Sequence, residues 1–285
     1  MNRNLLPLAY VAPAMLLIGF VLYLPSLFGV YYSLFDLRYV APGRFVGFGN
    51  YVRLLGDPEF LDMLLRSVAF TATAVSLTVA LALALAGWIN TLKGWFGMAI
   101  QLLVILPWIV SHIVSALLFK WVFVNDIGAG LWLLAQLGFG AFTPLTSPSS
   151  AMAVLIVYAC WRTLGFAVVL LLAGLKGIPE ELHEAASIDG ANAWQRFRAI
   201  TLPLLKTPML IVCVILTLSN LNNVETPLVI TGGGPAGATN IIPLDIFTRA
   251  FARFDFSTAI ALAIGAFLAN MILVISYVRL VKWRV

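Results

Sequence analysis

The chain alternates between long apolar stretches and short polar connections. Each apolar stretch runs for roughly 20 residues, the length of an α-helix that crosses a hydrocarbon core of about 30 Å. None shows the alternation of apolar and polar residues that outer-membrane strands require, so helices and not a barrel are predicted. A polar loop follows the first stretch, and six spans place both chain ends on one side of the membrane. The stretches lie within residues 8–35 and at about 67–89, 96–124, 151–172, 204–221 and 258–281.

One polar segment between the fourth and fifth stretches, residues 180–203, carries helical signals of its own. Pro179 fits the first turn of a helix, because its fixed backbone angle suits that position. Glu180 and Glu181 place negative charge at the positive end of the same helix. A short helix is therefore predicted from this point to about Ser187.

The second half of this segment predicts a reversal of the chain and a second short helix. Asp189-Gly190 can supply a sharp turn, since glycine adopts backbone angles that other residues adopt less easily. Asn192 followed by Gln195 is typical of the cap that opens a helix. Pro203 is predicted to end that helix. The two halves form a polar hairpin, called the 180–203 hairpin below.

The composition indicates an integral membrane protein. Hydrophobic residues make up 62% of the 285 residues and charged residues only 10%, with a mean hydropathy of +1.01, far outside the soluble range. Cys160 and Cys213 each lie inside an apolar stretch and predict buried thiols without redox or metal chemistry. The net charge of +5 comes from basic residues that flank the stretches, which indicates lipid headgroups and not nucleic acid.

The distribution of basic residues predicts the orientation. With the amino terminus inside, nine Lys and Arg residues lie in the inner segments and six in the outer segments, while Lys120 and Arg162 lie within spans. Residues 125–150 contain no Lys or Arg, as expected of an outer loop. The 180–203 hairpin is then cytoplasmic.

The hairpin also carries a spaced signature. E-A-A at 184–186 is followed after three residues by Gly190, and after nine more by I-x-L-P at 200–203. With this spacing the chain resembles the membrane-spanning subunits of ATP-binding-cassette importers. Further matches over nearly the whole chain favour the carbohydrate-uptake branch of that family. They are FVGFGNY at 45–51, DPEF at 57–60, LPW at 106–108, AGLKGIP at 173–179, IDGA at 188–191 and TGGGP at 231–235.

The resemblance implies an all-α integral membrane protein: a type I importer transmembrane domain of about six helices, forming a single permease domain over residues 1–285. It implies a place in the bacterial inner membrane and several protein partners. These are two cytoplasmic ATPase subunits, a second permease subunit in a hetero-dimer, and an extracytoplasmic solute-binding protein. ATP and Mg²⁺ would be bound by the ATPase subunits, and this chain would hold no cofactor and catalyse no reaction. The sequence contains no G-x-x-x-x-G-K-[ST] loop.

In that family the coupling helix is held in a cleft of the ATPase, and the resemblance assigns this role to the 180–203 hairpin. The composition of the hairpin supports docking, because apolar side chains lie among charged ones. The alternative for an amphipathic hairpin is that it lies on the bilayer surface. The residues implied in coupling are Glu184, Ala185, Ala186, Asp189 and Gly190.

Polar residues within the predicted spans are the candidates for the solute path, because each is costly in hydrocarbon unless it faces protein or water. Hydrogen-bonding and aromatic side chains together suit a sugar, which has polar edges and apolar ring faces. For Arg162 an ion pair with Glu225 is the alternative, and for His112 it is an interhelical hydrogen bond. The candidates are Arg162, Tyr158, Trp161, His112, Asn220, Asn222, Asn223 and Glu225.

Two outer segments are candidates for docking of the binding protein: the loop 231–257 and the segment 45–60. In the first, TGGGP must form an irregular turn, since successive glycines allow a wide range of backbone angles. A simple connector is the alternative. The residues of the turn named as docking candidates are Gly232, Gly233, Gly234 and Pro235.

Two other classes of protein are weighed against this interpretation. A stand-alone secondary transporter or channel needs acidic residues or other ion sites in its spans, and apart from Glu225 these spans offer few. A membrane-bound enzyme needs paired carboxylates or metal-ligand spacing, which the spans lack. The ligand stays open among a monosaccharide, a disaccharide, a polyol, a glycerol phosphate and a sulfonated sugar.

Overall fold

The structure, a computed structural model, describes residues 6–38, 41–124, 128–138 and 143–282. Arg3, Arg284 and parts of the 125–150 loop, which entered the orientation argument, lie outside these residues. Helices dominate the described part of the chain. The elements are α1 (Leu6–Ile18), α2 (Leu24–Tyr32), β1 (Phe35–Arg38), β2 (Ala41–Phe45), α3 (Gly49–Leu55), α4 (Pro58–Thr91), α5 (Trp95–Ile109), α6 (His112–Val122), α7 (Ala129–Gln136), α8 (Pro148–Lys176), α9 (Glu180–Ile188), α10 (Ala193–Arg196), α11 (Leu202–Leu204), α12 (Lys206–Asn222), α13 (Glu225–Ile230), α14 (Ile242–Phe247) and α15 (Phe256–Lys282), with π-helical turns at Gly19–Tyr23, Phe197–Thr201 and Thr248–Ala252.

The described helices confirm a helical membrane fold and account for six spans when each bent pair of helices is counted once. One bent pair is α5 with α6, which meet at 99°, and the other is the segment Ala193–Leu204 with α12, which meet at 64°. The apolar pattern predicted both spans but neither bend. Four further helices are long and apolar enough to cross a bilayer unbroken: Tyr10–Tyr32, Pro58–Thr91, Pro148–Lys176 and Phe256–Arg279.

The bend in the third span lies at Val110 and Ser111, whose backbone is extended between α5 and α6. Pro107 is not its position, because α5 continues for two residues beyond it. The last backbone hydrogen bond of α5 runs from the N–H of Val110 to the carbonyl of Leu106. The bend therefore leaves the carboxyl end of one helix and the amino end of another inside a single apolar stretch.

The prediction that Pro203 ends the second hairpin helix is wrong. α10 continues through a π-helical turn into α11, and Pro203 lies within α11. A π turn pairs each N–H with the carbonyl five residues earlier. The α-helical hydrogen-bond pattern is therefore already interrupted where Pro203 lacks its N–H. The chain changes direction at Leu205 instead, between α11 and α12.

The chain divides into two compact units, Met1–Asp62 with Asp245–Ala269 and Met63–Leu244 with Asn270–Val285. In the first unit, β1 and β2 pair antiparallel within the connection predicted as a loop. Pro42 and Gly43 in β2 favour a turn, so no strand was predicted at these residues. The buried side chain of Asn50 donates hydrogen bonds of 2.8 Å to the backbone carbonyls of Ser33 and Phe35, at the start of the β1–β2 pair.

In the second unit, α8 is the central helix. Buried residues make up 61% of its apolar window, against 33% or less in the other unbroken spans, and it packs on α5 and α12. Gly165 lies against the backbone of Val104 and Ile105 so closely that a Cβ would overlap them, and Gly174 lies against Leu205. Small residues therefore let both broken spans approach α8.

Two predicted loops contain helices. α7 occupies the middle of the 125–150 loop. The 231–257 loop begins with the predicted irregular turn but continues as α14 and a π-helical turn. There Asp245 and Arg249 are four residues apart and form an ion pair, a spacing that stabilises a helix. The prediction of an irregular loop is thus confirmed for TGGGP and wrong for its second half.

Candidate coupling hairpin and solute path

The 180–203 hairpin has the predicted turn and cap. α9 ends at Ile188, and Gly190 adopts a φ of +81°, in the left-handed region that favours glycine. Asn192 accepts a hydrogen bond from the N–H of Gln195 at 2.9 Å, and Gln195 accepts one from the N–H of Asn192 at 2.8 Å. This capping box fixes the start of α10. The hairpin is therefore a preformed element and not a flexible loop.

The hairpin is largely exposed. No residue of α9 is buried, and Ile188 and Trp194 are 87% and 66% exposed. Large apolar side chains exposed among charged ones are typical of a protein interface. Of the five residues implied in coupling, only Ala186 is half-buried, and Glu184, Ala185, Asp189 and Gly190 are exposed.

A cavity of about 790 Å³ lies between the hairpin and the carboxyl-terminal ends of α4 and α8. Its lining combines residues of two spans with residues of the hairpin. The ends of these spans were not predicted to meet here, because the residues are far apart in the chain. The polar residues of the lining include Asn90, Thr91, Lys176, His183, Arg196 and Thr201.

Two side chains of α8 hold the break in the third span. Tyr158, fully buried, donates to the carbonyl oxygen of His112 at 3.1 Å and shares a bond of 2.8 Å with the hydroxyl of Ser115. Arg162, one turn further along α8, donates to the carbonyl oxygen of Pro107. Its guanidinium carbon lies 5.6 Å from the ring centroid of Trp108, within cation–π range. One helix face thus bonds to carbonyls on both sides of the break.

A second break, between α12 and α13, meets the start of α6. His112 Nε2 lies 3.2 Å from the hydroxyl of Thr226, and His112 Nδ1 lies 3.7 Å from Glu225 Oε2. Asn223 donates to Glu225 Oε2 at 3.0 Å and accepts from the N–H of Thr226 at 2.8 Å. Two helices that begin within the apolar region, α6 and α13, therefore start side by side.

The structure brings His112, Tyr158, Arg162, Asn223 and Glu225 into one polar cluster. The interhelical hydrogen bond offered as the alternative for His112 is present. The ion pair offered for Arg162 with Glu225 is wrong: Arg162 bonds to a backbone carbonyl, and Glu225 lies beside His112. Sequence spacing could not exclude that pair, since the two residues lie in different spans.

Of the other predicted path residues, Trp161 contacts this cluster. Trp161 is 41% exposed and its ring centroid lies 6.1 Å from that of Tyr158. Asn220 is buried. Asn222 is exposed and accepts from the side chain of Asn270 at 3.0 Å. Sequence analysis missed Asn270, Ser115 and Thr226. Asn270 and Ser115 are polar residues in apolar stretches and were detectable by that signal, whereas Thr226 lies beyond the end of the fifth stretch.

The TGGGP turn is built by positive backbone angles. Gly232 and Gly233 have φ values of +62° and +88°. Thr239 donates to the carbonyl of Gly234 at 2.7 Å and to the hydroxyl of Thr231 at 2.8 Å. Gly233 is buried, Gly232 is exposed, and Gly234 and Pro235 are half-buried. Part of the backbone of the turn is therefore exposed, while the hydrogen bonds from Thr239 fix the rest.

The other docking candidate, the segment 45–60, is held by an ion-pair network in the first unit. Arg249 Nη2 lies 2.5 Å from Asp57 Oδ2, and Arg249 Nε lies 2.5 Å from Asp245 Oδ2. Arg249 is 7% exposed and Asp245 2% exposed. The hydrogen bond from Arg249 is the main reason why the pKa of Asp57 is lowered, against an opposing effect of burial. The network fixes the DPEF segment to α14 and the π turn after it.

The folded elements and the signature on the hairpin identify the class. The chain belongs to the family of binding-protein-dependent transport system inner membrane components, whose model matches residues 76–284. The predicted membership of the importer permeases is thereby confirmed.

Individual proteins resemble the chain over most of their length. The sulfoquinovosyl glycerol transport system permease protein SmoG of Agrobacterium fabrum is 32% identical over 100% of this chain and 92% of that protein. The trehalose/maltose transport system permease protein MalF of Thermococcus litoralis is 35% identical over 87% and 84%. A crystal structure of a bacterial ABC transporter involved in the import of the acidic polysaccharide alginate has a TM-score of 0.84 at 21% identity, covering 99% of this chain and 97% of that one, and supports the fold.

Proposed function

We propose that this chain is the permease subunit of an ATP-binding-cassette importer that carries a sugar or sugar-like solute across the bacterial inner membrane. The observation on which this rests is the 180–203 hairpin, a preformed and exposed turn with the spaced E-A-A, Gly and I-x-L-P signature. Membership of the family supports the transport role. The names of the two relatives, both of which carry sugars or sugar derivatives, support the solute class.

The partners follow from the same role. Two cytoplasmic ATPase subunits supply the work, one through the 180–203 hairpin of this chain and the other through a second permease subunit. A solute-binding protein delivers the sugar from outside, as the description of the family implies. Closure of the ATPase pair on ATP moves the hairpins and turns the spans from inward-facing to outward-facing. Hydrolysis then resets them.

The polar cluster between the two broken spans is the proposed solute path. The side chain of Glu225 is 41% exposed and that of His112 26% exposed; His112 lies within the third span, and Glu225 lies three residues beyond the end of the fifth. An ionisable group within a span is costly against lipid. The face that carries them must therefore meet water or the second permease subunit. Amides and hydroxyls on the same face suit the hydroxyl groups of a sugar.

One observation favours a second candidate, a stand-alone secondary transporter. His112 in the third span and Glu225 just beyond the fifth form an ionisable pair, and ionisable pairs of this kind occur on proton pathways. An ion-coupled carrier needs no ATPase and no binding protein. The 180–203 hairpin would then have no partner to engage.

Reconstitution in liposomes separates the two. The complete assembly, with ATP enclosed and the solute-loaded binding protein outside, is expected to accumulate solute. Omission of ATP, of the ATPase subunits or of the binding protein should abolish uptake. Gradient-driven uptake by this chain alone, without ATP, would instead establish the secondary transporter.

A further inference from the structure

Arg162 holds a positive charge inside the apolar fold without a carboxylate partner among the described residues. It is 8% exposed, and the ion pairs of these residues do not include it. One terminal nitrogen donates to the carbonyl of Pro107, whereas its Nε is buried and has no acceptor within the described ranges. A guanidinium stays charged, and a buried charge without compensation is costly. This group is therefore suited to bind an anion.

The amino-terminal end of α6 adds a second source of positive potential. The first N–H groups of a helix have no acceptor within it, and with the helix dipole they favour a negative ligand. α6 has 11 residues, and Ser111 at its N-cap makes no side-chain capping bond. Tyr158, one turn from Arg162, bonds to the first residue of α6, His112. The guanidinium and the end of α6 are thus held at the same break by the same face of α8.

Beside His112, the first residue of α6, the cluster also has a hydrogen-bond acceptor. The carboxylate of Glu225 is held by Asn223 at 3.0 Å and lies 3.7 Å from His112, and it does not pair with Arg162. A carboxylate accepts hydrogen bonds from hydroxyl groups. The cluster therefore combines a cationic group at Arg162 with an acceptor at Glu225, and the start of α6 lies between α8 and α13.

We propose, on the basis of the function proposed above, that the break between α5 and α6 is an anion subsite of the solute path. The sugar carried then bears a carboxylate, sulfonate or phosphate group. That group binds at Arg162 and the first N–H groups of α6, and the hydroxyl groups of the sugar reach Glu225 and Asn223. Arg suits this role because its planar donors match the oxygens of an oxyanion.

The electrostatic half of the proposal is tested with a single reactive cysteine. Ser111 is exposed at the break, so Ser111→Cys is made in a background with Cys160→Ala and Cys213→Ala, within the complete permease and ATPase assembly. The thiol is treated with an anionic methanethiosulfonate (ethylsulfonate) or a cationic one (ethyltrimethylammonium). Each rate is divided by that of the same reagent with a free thiol. The anionic reagent is expected to be favoured.

Three variants assign that preference to the charges that cause it. Arg162→Gln keeps an N–H donor for the carbonyl of Pro107 but removes the charge, and should lower the preference by about tenfold or more. Arg162→Lys keeps the charge and should retain most of it. Glu225→Gln removes the negative charge and should raise it. An equal normalised rate for both reagents, no reaction with either, or a preference unchanged in Arg162→Gln would overturn the subsite.

The chemical class of the solute is tested by protection of the same cysteine. Methyl glucuronide is expected to slow the reaction of Ser111→Cys, and methyl glucoside, which differs by the carboxylate, is not. Arg162→Gln should abolish the difference. Equal protection by both sugars would overturn the anionic class and leave the proposed import function intact. Failure of that function is seen separately, as uptake that does not depend on ATP.

Discussion

Tyr158 and Arg162 lie four residues apart on α8 and donate hydrogen bonds to carbonyl oxygens on opposite sides of one helix break, those of His112 and Pro107. The carbonyl of Pro107 lies in the last turn of α5 and has no N–H donor within the helix, and in a bilayer no water replaces that donor. Arg162 supplies it from a neighbouring span, and Tyr158 holds the first residue of α6 through the carbonyl of His112. The two side chains therefore stabilise the bend.

Removal of the Tyr158 hydroxyl should loosen this bend. Tyr158→Phe is expected to lower the free energy of unfolding by about 1–2 kcal/mol, because the buried hydroxyl bonds to two groups. Thermal unfolding of the purified chain measures this. The control is Tyr31→Phe, whose hydroxyl makes no hydrogen bond with the described residues and whose side chain is exposed. An equal effect of both variants would remove Tyr158 from the support of the break.

Gly165 tests the close approach of α5 and α8. Gly165→Ala adds a Cβ that overlaps the carbonyl oxygen of Val104, and should destabilise the protein by about 1–3 kcal/mol. The control is Gly265→Ala, at a helical position with nothing within 4 Å of the added atom. That variant should be neutral or stabilising by up to about 1 kcal/mol, since alanine favours helix. The unfolding temperature should therefore fall in Gly165→Ala and stay level or rise in Gly265→Ala. Equal changes in the two variants would contradict the packing.

The pair of Arg249 with Asp57 predicts a pH dependence. The pKa of Asp57 is lowered from its ordinary value of 3.8, chiefly by the hydrogen bond from Arg249. A carboxyl with a lowered pKa contributes its full stability above its ordinary pKa and loses it as the pH falls through the lowered value. Asp57→Asn should therefore be less stable than the wild type by a constant amount at neutral pH. This difference should shrink below pH 3.8.

The control for this measurement is Asp62→Asn, at an exposed position without an ion pair among the described residues. Its stability should follow that of the wild type at every pH. If the difference between wild type and Asp57→Asn did not change between neutral and acid pH, the pair would not contribute to stability.

The orientation is tested with single cysteines in a background without Cys160 and Cys213. Cysteines at Ser187 and Asn192 should react with a membrane-impermeant reagent only from the cytoplasmic side. Cysteines at Gly47 and Ala238 should react only from outside. The reverse labelling pattern in intact cells and inverted vesicles would invert the topology.

Local signals in the sequence predict the 180–203 hairpin well. Gly190, Asn192 and Gln195 act through backbone angles and capping bonds that span a few residues. The end at Pro203 was mispredicted, because a π-helical turn carries the helix through Pro203 and the bend lies at Leu205. Signals of this short range decide turns and caps but not the points at which a span bends.

The polar cluster was predictable only as a set of residue types. Polar residues within apolar stretches identified Arg162, His112 and Glu225, since each is costly in hydrocarbon. Their partners lie in other spans: Arg162 bonds to a carbonyl 55 residues earlier, and His112 to a hydroxyl 114 residues later. Such pairings depend on helix packing, which the pattern of a single stretch does not contain.

The measurement that tests the central claim most directly is ATPase activity stimulated by the solute-loaded binding protein in the assembly that carries Gly190→Pro. At a φ of +81° proline cannot adopt the turn, and it removes the N–H that bonds to the carbonyl of Ser187. The assembly should insert and hydrolyse ATP at its basal rate while stimulation and uptake are lost. Gly177→Ala, at an ordinary φ of −82°, should retain both. Normal stimulation and uptake in Gly190→Pro would contradict the assignment of the 180–203 hairpin as the coupling element.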